Sequence, residues 1–275
     1  MKELFITRPD GARIRIHDHA DRLNMPLEDA PALVLSNSLL TDMSLWDDVI
    51  STLASHIRII GYDTRGHGGS TTPSKTTTLQ TLRDDLGAVM DAVNVEKAFI
   101  AGISLGGMTA QQLAVDAPHR MLGLIACNCR ANIDAAGIDG WEQRLALLRD
   151  EGMDTLATQT LGRWFAEDFR NANPATMDRV RGMINGTAAE GFEACVRAIQ
   201  GLDLLDRIHA IRMPALFVAG AQDGAASPAT MREMAEKIPD ATCEVLDPCG
   251  HLSSIQRADV LASLITRFIA DHPVT

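Results

Sequence analysis

Short apolar runs alternate along this chain with longer stretches of helical periodicity, and that alternation restricts the available folds more than any other feature. The runs occupy residues 32–35, 57–62, 98–103, 122–127, 215–219 and 242–246. They are apolar at nearly every position rather than every second one, as strands must be when helices cover both faces of a parallel sheet. The intervening segments predict helices over 79–93, 105–115, 229–237 and 258–270, and one from a Ser44 cap to about His56. Strand and helix in succession give the α/β class: a mostly parallel central sheet flanked by helices and joined by right-handed crossovers.

Two segments depart from that rhythm. Residues 3–19 predict a hairpin, with a turn at Pro9-Asp10-Gly11 and an alternating strand Arg13-Ile14-Arg15-Ile16-His17 that leaves one face wet. A polar loop over 21–31 follows. Residues 129–211 hold no strand candidate, only helical segments around 141–149, 153–165, 174–184 and 192–199. The expected organisation is therefore a core of residues 1–128 and 212–275 with a helical cap, 129–211, inserted into it, which suits a 275-residue chain.

Charge narrows the partners. With 25 Lys and Arg against 36 Asp and Glu, the net charge of −11 repels phosphate backbones and anionic membrane surfaces. Nucleic acid and membrane are excluded as expected partners; a small molecule is not, because one Arg in a cleft outweighs the global field. No apolar stretch approaches the roughly 18 residues of a spanning helix. The start of the chain, with Lys2, Glu3 and Arg8, lacks a secretory apolar region, so a cytoplasmic location is expected. The cysteines, Cys127, Cys129, Cys195, Cys243 and Cys249, are odd in number and lack paired metal-site spacing, so reduced thiols and no metal site are expected. Nothing in the sequence sets an oligomeric state.

The chemistry is concentrated at Gly102-Ile103-Ser104-Leu105-Gly106, directly after an apolar run and directly before a helix. A Ser on so tight a strand-to-helix turn stands above the sheet edge, and its neighbours two residues away must lack side chains. A serine hydroxyl needs a base to act as nucleophile, and His251 in Pro248-Cys249-Gly250-His251-Leu252 lies late in the chain where such a base is expected. His67, in Asp63-Thr64-Arg65-Gly66-His67-Gly68, is the rival histidine. A carboxylate between the two in sequence should orient the imidazole; Asp223 qualifies, with Asp247 the substitute. The backbone N–H of Leu105 and that of Leu39, in the turn Asn37-Ser38-Leu39, are the candidate oxyanion donors.

These motifs together resemble one known family, the 3-oxoadipate enol-lactone hydrolases of bacterial aromatic-acid degradation, within the α/β-hydrolase superfamily. The likeness covers nearly the whole chain: Leu35-Ser36-Asn37-Ser38-Leu39 with Trp46, Tyr62 to Gly68, the elbow with Gly107-Met108, and, in the cap, Trp141, Glu151-Gly152-Met153, Arg163-Trp164-Phe165 and Gly191-Phe192 leading to Cys195. It implies an α/β-hydrolase fold with an inserted helical cap, the triad Ser104, Asp223 and His251, a small ester or lactone as substrate, and no metal or organic cofactor. It makes Trp141 and Trp164 candidates for lining the substrate pocket, with ordinary cap packing as the other reading. Two departures stand out. Leu40 occupies a position where the family usually has Gly, which implies a differently shaped oxyanion turn. The family commonly runs Thr-Ala-Ala-Arg-Ile-Gly where this chain has Cys129-Arg130-Ala131-Asn132-Ile133-Asp134, so Asn132 stands at the arginine position and Arg130 two residues earlier. If that arginine meets a substrate carboxylate, Arg130 and Asn132 are the residues at issue. The rival functions are a hydrolase of a different small ester or lactone, a cofactor-free perhydrolase or haloperoxidase, and a receptor that kept the pocket without turnover.

Overall fold

The computed structural model describes residues 1–53, 55–71 and 76–273. Eight strands form one sheet: β1 (Lys2–Thr7), β2 (Arg13–Asp18), β3 (Ala32–Ser36), β4 (Arg58–Tyr62), β5 (Ala98–Ile103), β6 (Met121–Cys127), β7 (Ala215–Gly220) and β8 (Ala241–Leu246). Their order across the sheet is β1-β2-β4-β3-β5-β6-β7-β8. β1 and β2 form the expected hairpin, with β2 antiparallel to β4, and every other neighbouring pair is parallel. β2 buries Ile14 and Ile16 and turns Arg13 and Arg15 outward, whereas β3, β4, β5 and β7 are buried at every position. That contrast follows from coverage, since helices lie over the middle of the sheet and not over its hairpin edge.

The helices of the core are α1 (Asp47–Thr52), α2 (Leu79–Ala92), α3 (Leu105–Asp116), α8 (Pro228–Glu236), α9 (Ser253–Gln256) and α10 (Ala258–Asp271). The chain winds left from β3 to β4, then crosses back over β3 to β5 and continues right. β3 and β5 therefore flank a switch in winding direction, where the loops at the carboxyl ends of the strands part and leave a crevice. Ser38, Ser104, Asn128, Asp223 and His251 all follow carboxyl ends of strands on or beside that crevice.

Between β6 and β7 stand α4 (Ala135–Trp164), α5 (Glu167–Ala172), α6 (Pro174–Asn185) and α7 (Ala189–Gln200). The expected segments 141–149 and 153–165 are two limbs of α4, joined at a kink where Gly152 takes φ 84°. α4 starts earlier than the periodicity suggests because the Asp134 carboxylate accepts the Gly137 N–H at 2.8 Å. α5 escaped the sequence reading; it is six residues long and has no capping side chain. α7 rests directly on the loop after β4: a Cβ at Gly66 would lie 2.5 Å from the Gly191 Cα, so the two backbones touch. The Cys195 thiol adds a 3.8 Å contact to the Arg65 carbonyl of the same loop.

Ser44 is not a helix cap. Asp42 accepts the Ser44 N–H at 2.9 Å and starts a 3₁₀ turn, Met43–Trp46, with the Ser44 hydroxyl spent on the same carboxylate; α1 begins only at Asp47. A carboxylate two residues upstream outcompetes a hydroxyl for the free N–H groups. α1 ends at Thr52, short of the expected His56, and Ala54 lies outside the described residues. Among the described residues, no helix is long and apolar enough to cross a membrane.

Candidate active site

Ser104 sits between β5 and α3 with φ 55° and ψ −114°, outside the regions ordinary residues occupy. Its N–H is tied to the Cys127 carbonyl at 2.9 Å, which fixes the turn to the neighbouring strand. The two flanking glycines are dictated by contact. A Cβ on Gly102 would run into the Gly106 carbonyl, and one on Gly106 into that of Ser36. The strained serine is thus held by close backbone packing on both sides.

Asp223 closes a turn after β7, its N–H donating to Gly220 O at 3.1 Å. One carboxylate oxygen accepts the Ala225 and Ala226 N–H groups at 2.8 and 3.1 Å. The other accepts the Asn128 side-chain amide at 3.0 Å and faces His251 Nδ1 at 2.8 Å. Burial pushes the Asp223 carboxyl pKa up, but the His251 charge and these hydrogen bonds outweigh it and leave it below the ordinary value. Asp247, the substitute acid, is solvent-exposed at the end of β8. His251 has a second fixed point, its backbone N–H on the Trp164 carbonyl at 2.8 Å, and the Trp164 ring stacks beside the imidazole with centroids 6.1 Å apart and planes 23° apart. With Nδ1 against Asp223, the other ring nitrogen has no hydrogen-bond partner among the described residues.

Ser104 and His251 line one cavity of about 620 Å³, roofed by the inner faces of α4 and α7. Leu39 and Leu40 bound it beside Ser104. Neither the Leu39 nor the Leu105 N–H donates to any described residue, and Leu105 is the first residue of α3, where the helix field favours negative charge. His67 is not on this cavity. It is buried with Nδ1 against the Arg65 carbonyl at 3.1 Å, and burial pulls its pKa down to about 4. Its loop is structural: Arg65 lies buried between Asp85 and Asp10 at 2.6 and 2.7 Å.

A profile of the alpha/beta hydrolase fold matches residues 31–258. The chain is 34% identical over 229 residues to 3-oxoadipate enol-lactonase 2 of Acinetobacter baylyi, covering 83% of this chain and 85% of that one. It is 32% identical over 266 residues to 3-oxoadipate enol-lactonase 1 of the same organism, covering 97% and 96%. This chain belongs to the enol-lactonase family of α/β hydrolases. It is a hydrolase acting on esters. The crystal structure of the enol-lactonase from Burkholderia xenovorans LB400 is similar at a TM-score of 0.90 and 33% identity, covering 97% of this chain and 100% of that one.

The cavity of this α/β hydrolase gathers the expected substrate-facing residues unequally. Trp141 and Trp164 both line it. So do Arg130 and Asn132, but Arg130 Nε is spent on the Ala225 carbonyl at 2.5 Å, and Asn132 forms a backbone bridge to Asp203 at the base of the helical insertion. Leu40 does not reshape the turn. It adopts φ 65°, the left-handed conformation that glycine takes freely, and so keeps a glycine's backbone course while adding a buried side chain. Three residues escaped the sequence reading. Asn128, at φ 49°, joins Asp223 to the Gly250 carbonyl; Arg144 and Arg163 bring two guanidinium groups to the cavity wall. Arg144 carried a signal, since Trp141 and Arg144 are one helical turn apart and therefore share a face. Asn128 carried none, because only the long-range fold brings it to Asp223.

Proposed function

We propose that this hydrolase opens 3-oxoadipate enol-lactone or a close analogue through the triad Ser104, His251 and Asp223. The observation that carries the reading is the held pair of His251 Nδ1 and the Asp223 carboxylate at 2.8 Å, on the same cavity as the strained Ser104. With Nδ1–H donated to Asp223, Nε2 is the basic nitrogen and takes the Ser104 proton as Oγ attacks the lactone carbonyl. The negative oxygen then meets the Leu39 and Leu105 N–H groups, whose freedom from other acceptors supports that role. Collapse breaks the bond from the carbonyl carbon to the ring oxygen. The enol oxygen leaves with the proton from His251 and tautomerises to a ketone, so re-closure of the ring is disfavoured. Water, deprotonated by His251, attacks the acyl-Ser104 carbon; the acid is released and the proton returns to Ser104.

In this scheme the helices over 129–211 act as the cap, and Trp141 and Trp164 bound the acyl pocket. The test is turnover of 3-oxoadipate enol-lactone, read by loss of its ultraviolet absorbance, with wild type beside Ser104→Ala. Rapid loss that disappears in the variant is the expected result. A lactone left intact while aryl esters are cleaved by Ser104 would overturn the substrate assignment and leave the triad standing.

A further inference from the structure

Arginine side chains elsewhere in this chain are matched. Arg58 meets Asp18 at 2.7 Å, Arg15 meets Asp63 at 2.7 Å, and Arg65 meets Asp85 at 2.6 Å. Arg144 breaks that pattern. It stands on the cavity wall with its Nε sealed from solvent, and it has neither a hydrogen bond nor an ion pair with any described residue. Its guanidinium lies over the Trp141 ring, 4.2 Å from the centroid, which holds the flat group in place without occupying its N–H donors.

A desolvated cation without an acceptor is costly, and a structure retains one where a ligand supplies the acceptor. The wall around it suits an anion. Arg163 also lines the cavity, and Asp134, the lining carboxylate, already accepts the Gly137 N–H. Burial, then the Arg163 charge, lowers the Arg144 pKa to about 10, which leaves it charged at neutral pH. Arg130, at the displaced family position, has its Nε on Ala225 O at 2.5 Å. We infer that Arg144 binds a free carboxylate on the substrate and makes this hydrolase selective for lactones that carry one. The inference rests on the proposed lactone-opening function and names the group that chooses its substrate. A lactone formed from one carboxyl group of a diacid keeps the other free, and a planar carboxylate can accept two N–H bonds from the guanidinium fork.

The experiment compares wild type, Arg144→Gln, Arg144→Lys and Arg163→Gln on 3-oxoadipate enol-lactone and on its uncharged methyl ester. Arg144→Gln is expected to lose about 100-fold in kcat/KM on the anionic lactone, mainly through KM, and less than about threefold on the methyl ester. Arg144→Lys, which keeps the charge but not the fork, should lose about tenfold on the anion alone. A second readout does not need the lactone: competitive inhibition of 4-nitrophenyl acetate hydrolysis by adipate. Adipate should inhibit wild type and Arg163→Gln and lose about 30-fold in potency against Arg144→Gln. If wild type ignores the enol-lactone, the proposed substrate falls and adipate inhibition still decides the role of Arg144. Equal losses on the charged and uncharged lactones, or equal adipate potency in wild type and Arg144→Gln, overturn the inference.

Discussion

On the sheet side of the cavity, Ser104, Asp223 and His251 stand on turns whose backbones are tied to neighbouring loops; on the helical side, Trp141 and Arg144 project from α4 and lean mainly on each other. The sheet side spends its hydrogen bonds on fixing positions. Asp223 alone receives two backbone N–H groups, an amide and an imidazole. The helical side leaves polar groups unspent. The difference teaches where the two halves of an enzyme's task reside: bond breaking needs groups held within a fraction of an ångström, whereas choice of substrate needs area and charge that can change without disturbing them.

The comparison breaks first at Ser104. Ser104→Ala should lower kcat about 100,000-fold with circular dichroism and Tm unchanged, and retained activity would show that the nucleophile lies elsewhere. Asp223→Asn should lower kcat about 10,000-fold, because an amide in place of the carboxylate favours the wrong imidazole tautomer. Asn128→Ala removes a donor to that carboxylate and leaves the buried Gly250 carbonyl without its partner. We expect a fall in kcat of about 30-fold and a loss of about 2 kcal/mol in urea unfolding. If only stability moved, Asn128 would belong to the scaffold and not to the machinery.

Acid tests the scaffold separately. His67 has a folded pKa of about 4 against an ordinary 6.5, so its stabilising share is complete above 6.5 and is lost as pH falls from there towards 4, where the unfolded chain takes the proton first. Between pH 7 and 5 that amounts to about 2 kcal/mol, measurable from urea midpoints, and His67→Gln should flatten the dependence. The smallest effect concerns thiols. Burial raises the pKa of Cys195 and of Cys249 to about 12, so iodoacetamide at neutral pH should leave turnover unchanged.

Much of the sheet side was legible in the sequence because its constraints are local. An elbow needs its glycines two residues either side of Ser104, and buried parallel strands need continuous apolar runs, so β3, β5, β6 and β7 were all recognisable. Asp223 followed from chain order together with a turn after an apolar run. What stayed hidden depends on contacts between distant segments. The amide of Asn128 reaches a carboxylate 95 residues away, and the carbonyl of Trp164 holds the N–H of His251. The displaced arginine pointed to Arg130, and only the folded chain reveals that Ala225 occupies it while Arg144 is left free. Local patterns do resolve one rival, since two flanking N–H acceptors explain why Asp42, not Ser44, begins its turn.

The backbone contact between Gly66 and Gly191 has a mechanical consequence. With the bond from His251 N–H to the Trp164 carbonyl, it fastens the helical roof to the core at two places. A plate pinned twice can pivot about the line through its pins but cannot lift away. Admission of substrate is then a rotation, and because one pin is also the tether of the imidazole, the angle of the door and the aim of the base are geared together.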